Sequence, residues 1–221
     1  MTRVRVRQHV NPFSKKYQTP AKPPIWDKVY AQVNQPLHLD IGCARGEFLL
    51  NMAIVQPSWN FLGLEIREPL VERACAMVGE LGLSNVHFLF GNVNNSIEPI
   101  LESLPQGRLQ RVTIQFPDPW FKKRQAKRRL VQPELVNNLA IYLSCEGMVL
   151  LQSDVEAVAQ EMCDRFEAHP AFQRQGTDWL ATNPLSVPTQ REILTLSRGE
   201  PVYRALFVRC YKQLTQNSRN L

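Results

Sequence analysis

The chain has 221 residues, 44% hydrophobic and 21% charged, with 26 Lys plus Arg against 20 Asp plus Glu and a formal net charge of +6. That composition suits a globular chain that buries its own core and excludes collagen-like, disordered and disulfide-scaffold classes. No apolar run reaches the ~18 residues of a membrane span, the basic N-terminus has no apolar stretch behind it to make a secretory signal, and the five cysteines form no C-x-x-C or Cys/His cluster. A reduced, cytoplasmic protein without a metal site is therefore expected.

Residues 1–24 carry Pro12, Pro20, Pro23 and Pro24, many cations and little hydrophobic periodicity. A flexible basic arm is expected there, followed by a single domain over 25–221. From residue 36 strands and helices alternate. PLHLDIG is a strand stopped by glycine, GEFLLNMAIVQ has helical spacing, and NFLGLEI is the next strand. Residues 68–81 form a helix with Leu70, Val71, Ala74, Met77 and Val78 on one face, ending near Gly82. NVHFLFG and RLQRVTIQF are the third and fourth strands, PELVNNLAIYLS a helix, GMVLLQSD the fifth strand and VEAVAQEMCDRFEAHP another helix. PVYRALFVRCYKQL closes the chain as a long strand. This order predicts an α/β fold with a mostly parallel sheet and helices on both faces.

The charge is segregated. Residues 1–28 hold seven Lys/Arg and one Asp, and 122–129, KKRQAKRR, hold six basic residues and no acid. Each segment balances at +6, so the rest of the chain stands at −6. An acidic body with two concentrated basic segments suits a polyanionic partner.

In an open α/β sheet, ligands bind outside the carboxyl ends of the strands. The first strand ends in LDIGCARGEF, where Gly42 and Gly46 allow a tight turn and close approach of a ligand. The spacing is G-x-x-x-G, which lacks the middle glycine of a pyrophosphate loop and disfavours NAD. Glu65 ends the second strand, 25 residues after Asp40, where a carboxylate can accept from ribose hydroxyls. Asn92 follows the third strand and offers the donor and acceptor that an adenine edge requires. An adenosine site without a phosphate loop, with Asp40 facing a cationic end, points to S-adenosyl-L-methionine.

QFPDPWFKKRQAKRRL follows the fourth strand. Pro117 and Pro119 bracket Asp118 and stiffen the loop that holds Asp118 and Trp120. A rigid carboxylate and an aromatic beside a phosphate-binding strip make a nucleobase site. His9, His38, His87 and His169 lie far apart and read as structural or surface residues.

Together, FPDPWFKKRQAKRRL, LDIGCARGEF, GLEIR and LLQSD closely resemble the bacterial tRNA (guanine-N7-)-methyltransferase family over roughly residues 36–211. The resemblance implies a Rossmann-like class I methyltransferase fold with a seven-stranded sheet, S-adenosyl-L-methionine as cofactor, and tRNA as partner. The implied reaction is methyl transfer to N7 of a guanine in the tRNA variable loop, position 46 in the family. It assigns cofactor contacts to Asp40, Glu65, Asn92 and Asp118, beside Gly42 and Gly46 of the first loop. It assigns substrate contacts to Lys122, Asp154, Thr189, Gln190, Arg191 and Glu192. The chain departs from the family at Ala44, usually glycine, at Asn92, often an acid, and at Arg191, usually aromatic.

Guanine N7 has a free lone pair at neutral pH, so the reaction needs no strong base and no cysteine nucleophile. Alignment is the main device, and Asp118 is the expected catalytic residue. Asp154 also stands where it would cap the following helix. Lys123, Arg124, Lys127, Arg128 and Arg129 are expected along the RNA backbone, three or four of the basic run meeting phosphates. Two other classes compete. An exocyclic-amine methyltransferase would show Asn/Asp-Pro-Pro-aromatic, whereas this chain has Pro-Asp-Pro-Trp. A non-catalytic RNA-binding module would leave the first loop and Glu65 unexplained. Monomer and homodimer are both open.

Overall fold

The structure, a computed structural model, describes residues 10–210. Its strands are β1 (Leu37–Ile41), β2 (Asn60–Glu65), β3 (Val86–Phe90), β4 (Leu109–Gln115), β5 (Met148–Ser153), β6 (Phe172–Arg174) and β7 (Tyr203–Arg209). They form one sheet in the order β3-β2-β1-β4-β5-β7-β6. β1 to β5 run parallel, and β7 is antiparallel to both β5 and β6. The helices are α1 (Trp26–Val29), α2 (Glu47–Val55), α3 (Glu68–Leu81), α4 (Val93–Glu102), α5 (Pro133–Tyr142), α6 (Glu156–Glu167) and α7 (Gln190–Ser197).

The alternation of side chains along the strands builds two cores. Leu39, Ile41, Leu62, Leu64, Val112, Ile114, Val149 and Leu151 face α4, α5 and α6, together with Trp26 and Tyr30. The opposite register places Phe61, Val86 and Phe88 against Phe48, Leu49 and Met52 of α2 and Val71 and Ala74 of α3. Helices thus cover both faces, as the alternation of elements predicts. The boundaries of α3 match the expected ones, and Gly82 ends it with φ 61°, its N–H bonding the carbonyls of Gly79 and Val78.

Four elements escape the sequence reading. α4 contains Asn94, Asn95 and Pro99, poor helix formers, yet Val93, Ile97, Ile100 and Leu101 bury one face. The Asn92 side chain caps it by accepting from the Asn94 N–H at 3.2 Å. β6 has three residues and α1 four, too short for a periodic signal. α7 lies among polar residues and is started by Thr189, whose Oγ1 accepts from the Glu192 N–H at 3.1 Å. Of the expected terminal strand, 211–214 fall outside the described residues.

The basic N-terminal segment was expected to be loose, and residues 1–9 of it lie outside the described residues. Residues 10–24 are tied to the body by polar contacts that apolar periodicity does not register. Lys16 pairs with Glu68 at 2.8 Å, the Ala21 N–H donates to Ser96 Oγ at 3.0 Å, and Asn95 Nδ2 donates to the Tyr17 carbonyl at 2.9 Å.

Gly63 lies in β2 directly behind the β1–α2 turn. A Cβ there would stand 2.4 Å from the Phe88 ring and 2.7 Å from Cys43 Sγ. Gly63→Ala should destabilise the protein by about 1–3 kcal/mol, as overpacking of a tight core does. Urea unfolding measures this as a lower midpoint with an unchanged slope.

Candidate active site

The chain leaves β1 toward β2 on one side and later returns to build β4 on the other. Ligand crevices open at such a switch point, and here a cleft does. It is lined from β1 by Gly42, from β2 by Glu65, Ile66 and Arg67, from β3 by Gly91, Asn92 and Asn94, and from β4 by Gln115, Phe116, Pro117, Asp118 and Trp120. Pro12 and Arg128 complete its rim.

Of the expected cofactor residues, Gly42, Glu65, Asn92 and Asp118 line this cleft. Gly42 takes φ 83°, a conformation that favours glycine. Asp40 lies one layer beneath, 4% exposed, its Oδ1 accepting from Thr113 Oγ1 at 2.6 Å and Gln115 Nε2 at 3.3 Å. Thr113 spends its single proton on Asp40, so His38 Nε2, 3.0 Å away, donates to it. His38 is structural, as expected, and buries its ring near Phe48 and Phe61. Gly46 starts α2 at φ 75°, where a Cβ would meet the Phe88 ring at 2.6 Å. It serves close packing beneath the turn. Ala44 also adopts a positive φ, 51°, at the position where the resembled family has glycine.

Glu65 is saturated by its own chain. Oε1 accepts from the N–H and Nε of Arg67, both at 2.9 Å, and Oε2 from the Ala44 N–H at 2.9 Å and Arg67 Nη2 at 3.1 Å. Asn92 is engaged too, its Nδ2 donating to the Pro12 carbonyl at 3.3 Å. Arg67, which the sequence reading did not single out, is thus a cleft residue. Burial works against its charge, but the hydrogen bond and charge of Glu65, with Asp118 adding, hold its pKa above the ordinary value.

The loop after β4 is strained at both ends: Phe116 has φ 50° and Trp120 φ 39°, outside the range bulky residues prefer. Between them Pro117 and Pro119 fix Asp118. Arg129 anchors this loop from behind, pairing with Glu161 of α6 and donating to the Trp120 carbonyl at 3.2 Å. Arg128 lays its guanidinium 5.1 Å from the Trp120 ring centre and enters the cleft. These two arginines of the basic run therefore serve the loop itself, whereas Lys122, Arg124 and Lys127 are exposed.

The remaining expected substrate residues gather around α7, outside the cleft lining. Asp154 does not cap α6, whose N-cap is Val155 with no side-chain bond. Its carboxylate is drawn instead to Arg191, whose Nε lies 2.9 Å away. Glu192 is 2% exposed and accepts from Arg204 Nη2 at 2.7 Å, Asn183 Nδ2 at 2.8 Å and Gln152 Nε2 at 3.2 Å. Gln190 is exposed at the start of the helix.

The model of the family described as "Putative methyltransferase" matches residues 34–205. The chain belongs to this methyltransferase family. A protein of Trichormus variabilis named tRNA (guanine-N(7)-)-methyltransferase is 66% identical over 207 residues, 93% of this chain and 96% of that protein. One of the same name from Synechococcus elongatus is 61% identical over 209 residues, 95% and 98% of the two chains. Among solved structures, the aminoglycoside resistance methyltransferase NpmB1 superposes with TM-score 0.53 at 12% identity, over 86% of this chain and 98% of that one. The precorrin-6y C5,15-methyltransferase of Geobacter metallireducens gives TM-score 0.53 at 13% identity, over 89% and 95%. At these identities the two structures establish the fold, that of class I methyltransferases. No helix among the described residues is long and apolar enough to cross a membrane.

In this methyltransferase the buried carboxylate of Asp40 carries a clear electrostatic signature. Desolvation pushes its pKa up to about 6, against the downward pull of Thr113 and Gln115 and with help from the charge of Glu65. A carboxyl whose folded pKa is raised destabilises the protein once ionised, so stability is lost as pH rises from about 4 through about 6. Asp40→Asn should therefore be more stable than the parent above pH 7, by up to about 3 kcal/mol at 1.36 kcal/mol per pKa unit. The gap should close below pH 4. Urea titrations at pH 4 and pH 8 measure both ends.

Proposed function

We propose that the protein transfers the methyl group of S-adenosyl-L-methionine to N7 of a guanine in tRNA, the one in the variable loop at position 46 of the resembled family. The observation that carries this reading is the shared cleft: the ends of β1, β2 and β3 supply an adenosine-type donor set, and Asp118 stands on the β4 wall beside exposed cations. The names of these relatives, at 61–66% identity over more than nine-tenths of each chain, support the same reaction.

The donor set fits the cofactor. Gly42 gives close backbone approach, Asp40 sets a buried negative charge beneath the floor below a cationic amino acid end, and Glu65 and Asn92 would meet the ribose and the adenine edge in place of the Arg67 and Pro12 partners they hold here. When bound, the cofactor supplies an electrophilic methyl group on a sulfonium. The protein's residues then have three tasks. Asp118 accepts from guanine N1–H and the N2 amine, which selects guanine over adenine, a base without donors there. The two prolines hold that carboxylate still, so that N7 is aligned with the methyl and the gain comes from proximity. Asp118 also offsets the positive charge that the guanine acquires on methylation. No residue has to remove a proton from N7.

Around the cleft, Lys122 lies closest in sequence to Asp118 and acts within the site, while Arg124 and Lys127 meet phosphates. Asp154, Thr189, Gln190 and Arg191, grouped around α7 outside the cleft lining, add further substrate contacts, with Glu192 acting through the bonds that fix α7. Residues 1–24 add further cations.

The test is nucleoside mass spectrometry of tRNA incubated with protein and methyl-labelled cofactor, with 7-methylguanosine as the expected product. Asp118→Ala should abolish that product, with an unchanged urea midpoint. Arg124→Ala with Lys127→Ala should weaken tRNA binding and reduce the slope of log affinity against log salt by a little under ~1 for each lost phosphate contact. Its affinity for S-adenosylhomocysteine should stay that of the parent, as calorimetry measures.

A further inference from the structure

The aromatic residues divide sharply by burial. All ten phenylalanines lie among the described residues, and Phe48, Phe61, Phe88, Phe166, Phe172 and Phe207 are buried. Phe90 and Phe116 are half-buried, as are Trp59, Trp120, Trp179, Tyr17, Tyr142 and Tyr203, while Trp26 and Tyr30 are buried. Among the described residues two aromatic rings stand out in solvent: Phe13, 56% exposed, and Phe121, 73% exposed. Phe13 lies in the first basic segment and Phe121 immediately precedes the second. Phe13 precedes the exposed Lys15 and Lys16, and Phe121 precedes the exposed Lys122 and Arg124.

Their placement is also paired. Phe13 follows Pro12, and Phe121 follows Trp120, and Pro12 and Trp120 both line the cleft. Pro12 is bonded to Asn92 after β3, whereas Trp120 belongs to the loop after β4. β2 and β1 separate those strands in the sheet, so the two rings flank the cleft from its two sides. Trp120, the aromatic of the nucleobase motif, has a guanidinium 5.1 Å from its ring centre. The adjacent Phe121 offers the open face instead.

We propose that Phe13 and Phe121 are stacking platforms for two unpaired bases of the RNA, one on each side of the guanine that enters the cleft. The proposal rests on the tRNA reading above. A guanine taken into a protein pocket must leave its stacked neighbours, and aromatic side chains replace the lost stacking. Exposed rings set among cations are how single-stranded nucleic acid is held: cations meet the phosphates, rings meet the bases. A second copy of this chain is a poor occupant, because the cations around each ring would repel their own kind.

The test is fluorescence-anisotropy titration of tRNA at several salt concentrations with Ala, Leu and Trp at each position. Stacking lost to alanine weakens binding about 5- to 150-fold, and the salt slope stays that of the parent because no phosphate contact is lost. Leucine should recover little, tryptophan should restore parental affinity, and S-adenosylhomocysteine affinity should not change. The proposal is overturned if alanine variants bind tRNA within twofold of the parent, if leucine restores binding, or if the slope falls with the affinity. Failure of the underlying reading looks different: the parent protein would show no salt-steep tRNA binding, which removes both.

Discussion

A row of polar side chains, half-buried at Gln115 and buried at Gln152 and Arg204, crosses the carboxyl edge of the sheet, and the candidate site is built on it. Strand register places Gln115 of β4 opposite Gln152 of β5, and Gln152 opposite Arg204 of β7. Gln152 donates to Gln115 Oε1 at 2.9 Å and accepts from Arg204 Nε at 3.2 Å. At one end Gln115 reaches Asp40, and at the other Arg204 and Gln152 both hold Glu192. Buried polar groups without partners are expensive, so such a row is stable only when each member is satisfied. It therefore fixes two carboxylates at once: Asp40 beneath the cleft floor and Glu192 at the head of α7. Breaking the pair of Arg204 and Glu192 would leave a charge stranded in the core.

The loop after β4 obeys a different constraint. Its shape comes from two prolines and two strained backbone positions, Phe116 and Trp120, and such strain persists only where surroundings enforce it. Arg129 does so from below through Glu161 and the Trp120 carbonyl, and Arg128 does so from above against the Trp120 ring. A reaction that needs alignment more than proton transfer is served by a rigid loop of this kind.

Six of the seven strands, the helices α2, α3, α5 and α6, and four members of the cleft lining, Gly42, Glu65, Asn92 and Asp118, are legible in the sequence, because hydrophobic periodicity and glycine-bounded strand ends are local signals. Asp40, Gly42, Glu65, Asn92 and Asp118 all sit at strand ends, where chain order alone predicts convergence. Much of the rest depends on side-chain contacts that periodicity does not register. Hydrophobic pattern carries no sign that Arg67 folds back onto Glu65 two residues away, or that Arg204 pairs with Glu192. The run KKRQAKRR reads as one cationic strip, yet Glu161 and Trp120 divide it into anchoring and solvent-facing members. The N-terminal segment reads as loose because its attachments, such as Lys16 to Glu68, are polar and aperiodic. α4 was missed because its asparagines and Pro99 mask four well-spaced apolar residues.

On the proposed function, this cleft aligns guanine N7, as an unassisted nucleophile, with a bound methyl donor. The most direct measurement uses tRNA with 7-deazaguanosine at the target position, which replaces the N7 lone pair by a C–H and leaves the N1 and N2 donors intact. Parental binding affinity is expected, with no transfer of labelled methyl to that tRNA and full transfer to the unmodified one. Transfer at an undiminished rate to the 7-deaza tRNA would overturn N7 as the nucleophile.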